Sequence, residues 1–159
     1  VTGQLRVGDR IPSLRGRTHH GEDLSLEQLA GAPALVMFYP FAFSRVCGSE
    51  LAALHAARGD LAELGARAVA ISCDAVHALR AYAEHLAPTE AELGFDLLSD
   101  FWPHGAVARG CGAFDEARGA PTRTSYILDP ALRVRHVQHV PAHQSRDLQE
   151  ALVELGRAA

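Results

Sequence analysis

The chain contains no lysine: all fifteen of its Lys-plus-Arg positions are arginine, and the formal net charge is -4. The arginines are scattered with no basic block, which argues against nucleic acid as a partner. The bias toward arginine carries no functional reading of its own. No apolar run is long enough to span a bilayer, so a membrane-spanning role is not expected. The segment Val1–Arg6 lacks the charged-then-apolar order of a secretory leader. The chain starts at Val1 rather than Met, so an earlier, removed leader stays open. Cysteine is sparse, with only Cys47, Cys73 and Cys111, an odd number too small for a disulfide framework. A cytoplasmic, reducing setting is therefore expected, where a thiol is either core filler or chemistry. No Cys-x-x-Cys pair occurs, which weighs against a thioredoxin-type disulfide exchanger. Internal repeats, low-complexity stretches and long linkers are absent as well. At 159 residues and 48% hydrophobic content, the chain is expected to form one domain, residues 1–159, with a core that needs no cross-links.

What is present reads as alternating strands and helices. The first thirty residues are rich in turn formers, and Ser25-Leu26-Glu27-Gln28-Leu29 predicts a short capped helical turn. Ala34–Tyr39 is a fully apolar strand, followed by a helical pattern over 45–64 with Leu51, Leu54, Leu61 and Leu64 on one face. A second buried strand is predicted at 68–72 and a helix at 75–86 that ends before Pro88. A weak strand at 95–98 and a short helix near 104–110 come next. Ser125–Leu128, the Asp129-Pro130 turn and Val134–Val137 predict a hairpin, and an amphipathic helix over 145–157 closes the chain. This order implies an α/β fold with a mixed central sheet flanked by helices, thioredoxin-like with an N-terminal extension.

The segment Pro40-Phe41-Ala42-Phe43-Ser44-Arg45-Val46-Cys47 carries the chemistry. It delivers a thiol from a buried strand, through a proline-marked loop, into the first turn of a helix. There the positive helix end and unsatisfied N–H groups favour a thiolate, the nucleophilic form of cysteine. Ser44 is a suitable N-cap, and its hydroxyl is within reach of sulfur or an oxygen substrate. Pro40, with no N–H and a fixed φ, can cover the thiol and restrict water. Each feature has a plainer reading when taken alone: Cys47 a buried hydrophobe, Pro40 a strand terminator, Ser44 merely a cap.

Together, Pro40-x-x-x-Ser44-x-x-Cys47 followed by Glu50 resembles the motif of the peroxiredoxins. The resemblance runs over almost the whole chain, through Phe38-Tyr39-Pro40, Ile71-Ser72, Leu98-Ser99-Asp100 and Thr124–Asp129. The run Leu98-Ser99-Asp100-Phe101-Trp102-Pro103-His104-Gly105 is most similar to the AhpE-type one-cysteine peroxiredoxins. The resemblance implies a thiol-dependent peroxidase that reduces hydrogen peroxide and organic hydroperoxides through a Cys47 sulfenic acid. It implies no metal, haem or flavin cofactor. Pro40 takes the shielding role, Ser44 the hydroxyl role in place of the commoner threonine, and Arg123 the role of the family arginine, with Glu50 orienting arginine side chains. It further implies an external thiol reductant, either a low-molecular-weight thiol with a glutaredoxin-like protein or thioredoxin, and a homodimer.

Other readings stand beside this one. Cys73 or Cys111 is a candidate to resolve the sulfenic acid in a two-cysteine cycle; otherwise they are core or loop residues. A redox sensor or relay, passing Cys47 oxidation to a partner protein, would use nearly the same residues. A silent thioredoxin-fold binding module is a third reading. Trp102, Phe41 and Phe43 are candidates for a pocket lining or dimer contact, and Phe38 and Tyr39 equally for plain core. The nine histidines include His19-His20 and His136-x-x-His139-x-x-x-His143, but adjacent histidines point apart on a strand and no full ligand set is expected.

Overall fold

Ala34-Leu35-Val36-Met37-Phe38 is apolar at every position, the pattern of a strand covered on both faces, and it lies at the centre of the sheet. The computed structural model describes residues 3–89 and 92–159, so the first two residues of the segment searched for a leader lie outside it. Among the described residues the strands are β1 (Arg15–Thr18), β2 (Asp23–Ser25), β3 (Ala34–Phe38), β4 (Arg67–Ser72), β5 (Asp96–Ser99), β6 (Phe114–Asp115), β7 (Ala120–Pro121), β8 (Arg123–Leu128) and β9 (Val134–Val140). The α-helices are α1 (Arg45–Ala56), α2 (Arg58–Glu63), α3 (Val76–Leu86), α4 (Ala106–Gly110) and α5 (Leu148–Ala158). Seven strands form one sheet in the order β2-β1-β5-β4-β3-β8-β9. The β3–β4 and β4–β5 pairs are parallel, and the β1–β2, β1–β5, β3–β8 and β8–β9 pairs are antiparallel. This is the mixed, helix-flanked sheet of a thioredoxin-like fold.

The period of two along each strand divides the core into two halves. Leu35 and Met37 of β3, Ala70 of β4, Leu97 of β5 and Ile127 of β8 face one way and pack against Leu51 and Leu54 of α1, Leu79 and Tyr82 of α3 and Leu155 of α5. Val36, Phe38, Val69, Ile71, Leu98 and Tyr126 face the other way, onto Ile11, Leu24, Leu26 and Leu29 of the N-terminal region and Val107 and Cys111 at α4. Each fully buried leucine contributes about 1.5–3 kcal/mol, so the two layers hold α1 firmly over the end of β3.

Several elements differ from the sequence expectation for physical reasons. The predicted helix over 45–64 breaks at Ala57, whose ψ of 9° leaves the helical region, one residue before Arg58-Gly59 starts α2. The closing helix begins at Leu148 because Asp147 accepts hydrogen bonds from the N–H groups of Gln149 and Glu150. The N-terminal region, expected as turns alone, holds the β1–β2 hairpin, whose short, charged strands carry no strong apolar alternation. Gly16 makes that hairpin fit: a Cβ there would stand 2.6 Å from the Ser99 carbonyl oxygen, so only glycine lets β1 lie against β5. The turn at Leu26–Leu29 carries the expected reciprocal capping between Ser25 and Gln28.

Candidate active site

The chain leaves β3 at Phe38, ties Tyr39 N–H to the Ile71 carbonyl (3.0 Å), buries Pro40 and starts α1 at Arg45. Cys47 is the third residue of α1 and is fully buried. The first intrahelical bond, Gly48 N–H to the Ser44 carbonyl (2.8 Å), closes the turn around it. Ser44 occupies the N-cap position, but its side chain does not cap the helix. The Ser44 hydroxyl donates instead to the Phe41 carbonyl at 3.0 Å. The N–H groups of the first turn therefore keep no side-chain cap beside the thiol, and the partial positive charge of the helix end stays available to an anion there.

Beneath the thiol, Tyr39 and Tyr82 are fully buried and share its apolar cluster. Burial raises both phenols above their ordinary range, so they remain neutral O–H groups at physiological pH. Phe43 adopts a left-handed φ of 65° and packs on Tyr82 with ring centroids 4.7 Å apart. A non-glycine residue in this region stores strain that packing must offset.

Glu50 follows Cys47 by three residues and so shares its helix face. It is buried, and two arginines converge on it. Arg123, at the start of β8, donates from Nη1 to Glu50 Oε1 at 2.7 Å and from Nε to the Ala142 carbonyl at 2.6 Å. Arg146 grips the carboxylate from both sides: Nε and its backbone N–H reach Oε2 at 2.8 and 2.7 Å, and Nη2 reaches Oε1 at 2.8 Å. Its Nη1 also donates to the Phe38 carbonyl (2.6 Å) and Ser125 Oγ (3.1 Å). Burial by itself raises the Glu50 carboxyl, but the hydrogen bonds and charge of Arg146, joined by Arg123, outweigh it and hold the group below its ordinary value. Two guanidiniums against one carboxylate leave one net positive charge out of water beside the start of α1. Arg123 keeps Nη2 without a protein partner among the described residues, whereas the N–H groups of Arg146 are mostly taken up.

The structure brings Pro40, Ser44, Cys47, Glu50 and Arg123 to one end of the sheet. Arg146 was not legible in the sequence. It lies in Gln144-Ser145-Arg146-Asp147, a polar run before a helix that reads as solvated surface. The available signal was Glu50 itself, a carboxylate on the buried face of α1 that demands cationic partners.

Cys111 sits in the opposite core layer, across the sheet from Cys47. Cys73 follows β4 and is surrounded by Asp100, Asp74, Gly105 and Arg109. Burial, then nearby carboxylates, pushes both thiols up to about 12. The expectation that His19 and His20 point apart is corrected, because they occupy the turn after β1 rather than a strand and their ring centroids are 4.0 Å apart. With Asp96 they bring potential ligand atoms within 4.8 Å of one another. The Leu97 N–H, however, donates to His19 Nδ1 at 3.2 Å. That bond puts the proton of the neutral ring on Nε2 and leaves the ring no lone pair for a metal.

Residues 7–137 match the model of the AhpC/TSA family. Alkyl hydroperoxide reductase E of Mycobacterium tuberculosis is 30% identical over 146 residues, covering 90% of this chain and 91% of that protein. A peroxiredoxin of Methanothermobacter thermautotrophicus is 27% identical over 96% of this chain and 72% of its own. Among solved structures, peroxidoxin BcpB from Mycobacterium tuberculosis superposes with a TM-score of 0.84 at 26% identity, covering 98% of this chain and 99% of that one. Enterococcus faecalis AhpC shares the fold with a TM-score of 0.85 at 24% identity, covering 95% of this chain and 90% of its own. On motif, fold and sequence likeness alike, the chain belongs to the AhpC/TSA family of peroxiredoxins, the thiol-dependent peroxidases.

Proposed function

We propose that Cys47 is the peroxidatic nucleophile of a one-cysteine cycle. The observation that carries this reading is the coincidence of a buried thiol in an uncapped first helical turn with a buried Glu50–Arg123–Arg146 cluster on the same helix face. The Cys47 sulfur attacks one peroxide oxygen, forming an S–O bond as the O–O bond breaks. The displaced oxygen leaves as hydroxide or alkoxide and takes up a proton, giving water or an alcohol and Cys47 sulfenic acid. Arg123 supplies its free N–H groups to the oxygen that gains charge. Ser44, with its proton committed to the Phe41 carbonyl, offers lone pairs that accept the O–H of the incoming hydroperoxide. Pro40 closes the pocket and limits water.

An external thiol then attacks the sulfenic sulfur, releases water, and a second thiol restores Cys47 by exchange. A low-molecular-weight thiol with a glutaredoxin-like protein, or thioredoxin, suits this role. The opposite-face position of Cys111 and the high-pKa surroundings of Cys73 favour the external route. We read the molecule as a homodimer of single-domain chains acting in the cytoplasm. Among the described residues no helix is long and apolar enough to cross a membrane.

The test is to mix reduced protein with about one equivalent of hydroperoxide, quench on the millisecond-to-second scale and weigh the intact chain. Gain of one oxygen, trapped at Cys47 and absent in Cys47→Ser, is expected. Loss of two hydrogens would overturn the one-cysteine cycle. No fast change in mass would overturn the peroxidase reading.

A further inference from the structure

Asp74 lies just beyond β4, outside the motif, yet it holds the loop that carries the motif. Its Oδ2 accepts the Ala42 N–H at 2.8 Å and the buried Ser72 hydroxyl at 2.7 Å. Its backbone carbonyl accepts the Ser99 hydroxyl at 2.6 Å, which ties it to the end of β5. The end of the sheet thus fixes Asp74 from two sides before it reaches across to the loop.

Ala42 N–H and the Phe41 carbonyl belong to one peptide unit, and in a planar trans unit they point in opposite directions. The Phe41 carbonyl is the group that accepts the Ser44 hydroxyl at 3.0 Å, with the Ser44 N–H at 3.4 Å. Anchoring the N–H end on Asp74 therefore sets where the carbonyl end points, and the carbonyl sets the Ser44 proton. If this peptide rotated, Ser44 Oγ would lose its acceptor, its rotamer and its fixed set of lone pairs. Serine lacks the β-branch that would otherwise restrict χ1, so this chain depends on such an external restraint more than a threonine would.

We propose that Asp74 is a positioning residue for peroxide reduction, acting through the Phe41–Ala42 peptide to orient the Ser44 hydroxyl over Cys47. The inference rests on the reading of Cys47 as nucleophile and Ser44 as its hydroxyl partner. It adds a residue, and a route for its effect, that the motif does not contain. A displacement of about 1 Å at a reacting group can cost on the order of a hundredfold in rate, so loss of this restraint is readable.

The test is a double-mutant cycle on the rate of Cys47 oxidation by hydrogen peroxide, with alkylation of Cys47 by iodoacetamide as the control. Asp74→Ala is expected to slow oxidation about tenfold or more and leave alkylation within about twofold, since alkylation needs no oriented hydroxyl. Asp74→Asn keeps an acceptor oxygen for Ala42 and is expected to recover most of the oxidation rate. In the Ser44→Ala background, Asp74→Ala should cost little further, because its route is already gone. Independent, multiplying effects of the two substitutions would overturn the relay, as would an unchanged oxidation rate in Asp74→Ala. Parallel loss of oxidation and alkylation would also overturn it, because that marks a disordered site. Absence of Cys47 oxidation in the unsubstituted protein would instead remove the underlying peroxidase reading.

Discussion

At the scale of single residues, Glu50 decides how the site is held. Its carboxylate is the shared counter-ion of two buried guanidiniums, and the two arginines are not equivalent. Arg146 spends its donors on Glu50, Phe38 and Ser125, whereas Arg123 bonds only Glu50 and the Ala142 carbonyl among the described residues. Removing one partner of a buried ion pair costs about 3–5 kcal/mol. Arg146→Met leaves Glu50 only the single Arg123 bond and takes the donor from the Phe38 carbonyl and Ser125, so it is expected to lower stability in urea unfolding by up to about that amount. Arg123→Met leaves Glu50 still paired. It is expected to cost at least about a hundredfold in the oxidation rate of Cys47, as loss of an aligned charge-stabilising donor does, with a smaller change in stability. Stopped-flow oxidation beside equilibrium unfolding separates the two. Equal loss of stability in both variants would refute the division of labour. Ser44→Val, which removes the hydroxyl while keeping a comparable volume, should also slow oxidation sharply; an unchanged rate would remove the hydroxyl from the mechanism.

At the scale of elements, two groups give the fold a pH dependence with a definite sign. His19 is buried at the end of β1, where its Nδ1 accepts the Leu97 N–H. Burial, then the neighbouring His20, pushes its pKa below the ordinary 6.5. The charge of Asp96 opposes that shift only in part. The unfolded chain therefore binds a proton more readily than the fold just below pH 6.5, so stability falls as acid is added through that window. Glu50 has a folded pKa below its ordinary 4.5, so its contribution is intact above that value and is lost at more acidic pH. Urea unfolding should then show a first decline below pH about 6.5 and a second below about 4.5. His19→Gln keeps an acceptor for Leu97 without a titrating ring and is expected to flatten the first decline. A slope unchanged by that substitution would assign the decline to another group.

At the scale of the whole molecule, the sheet separates the thiols. Cys47 lies in the layer beneath α1, α3 and α5, and Cys111 in the layer beneath α4 and the N-terminal region. The sheet itself stands between them, whereas a disulfide needs Cα atoms within about 4.4–6.8 Å. Cys111→Ser and Cys73→Ser are each expected to leave hydroperoxide turnover with an external thiol within about twofold of the unsubstituted protein. A peptide map of oxidised protein should show no Cys47–Cys111 or Cys47–Cys73 bridge. Appearance of either bridge at the rate of turnover would restore a two-cysteine cycle. The exposed aromatics Phe41, Phe43, Phe101 and Trp102 all follow β3 or β5, at the same end of the sheet as the site. Sedimentation of the chain and of a Trp102→Ala variant measures whether this end joins two copies.

Local structure around the thiol was legible from the residues alone. The run Ala34–Tyr39 declared a strand covered on both faces, Pro40 ended it, and the Pro40–Cys47 spacing set a thiol into a first helical turn, because each of these follows from propensity and period over a few residues. The β1–β2 hairpin was not legible, since its strands are too short and too charged for alternation to show, and their pairing depends on Gly16 lying against Ser99. The same limit hid Arg146 and Asp74. Nothing within a few residues of either marks it, because the partners that give them meaning, Glu50 at 96 positions' remove for Arg146 and Ala42 at 32 for Asp74, are brought near only by the packing of the sheet against its helices. The sequence by itself determined the local frame: a strand covered on both faces, a proline that ends it and a thiol set into the first turn of the next helix. The tertiary structure decided what surrounds it: long-range contacts chose the arginine cluster, the loop anchor and the separation of the thiols, and loop closure over such distances leaves no local trace.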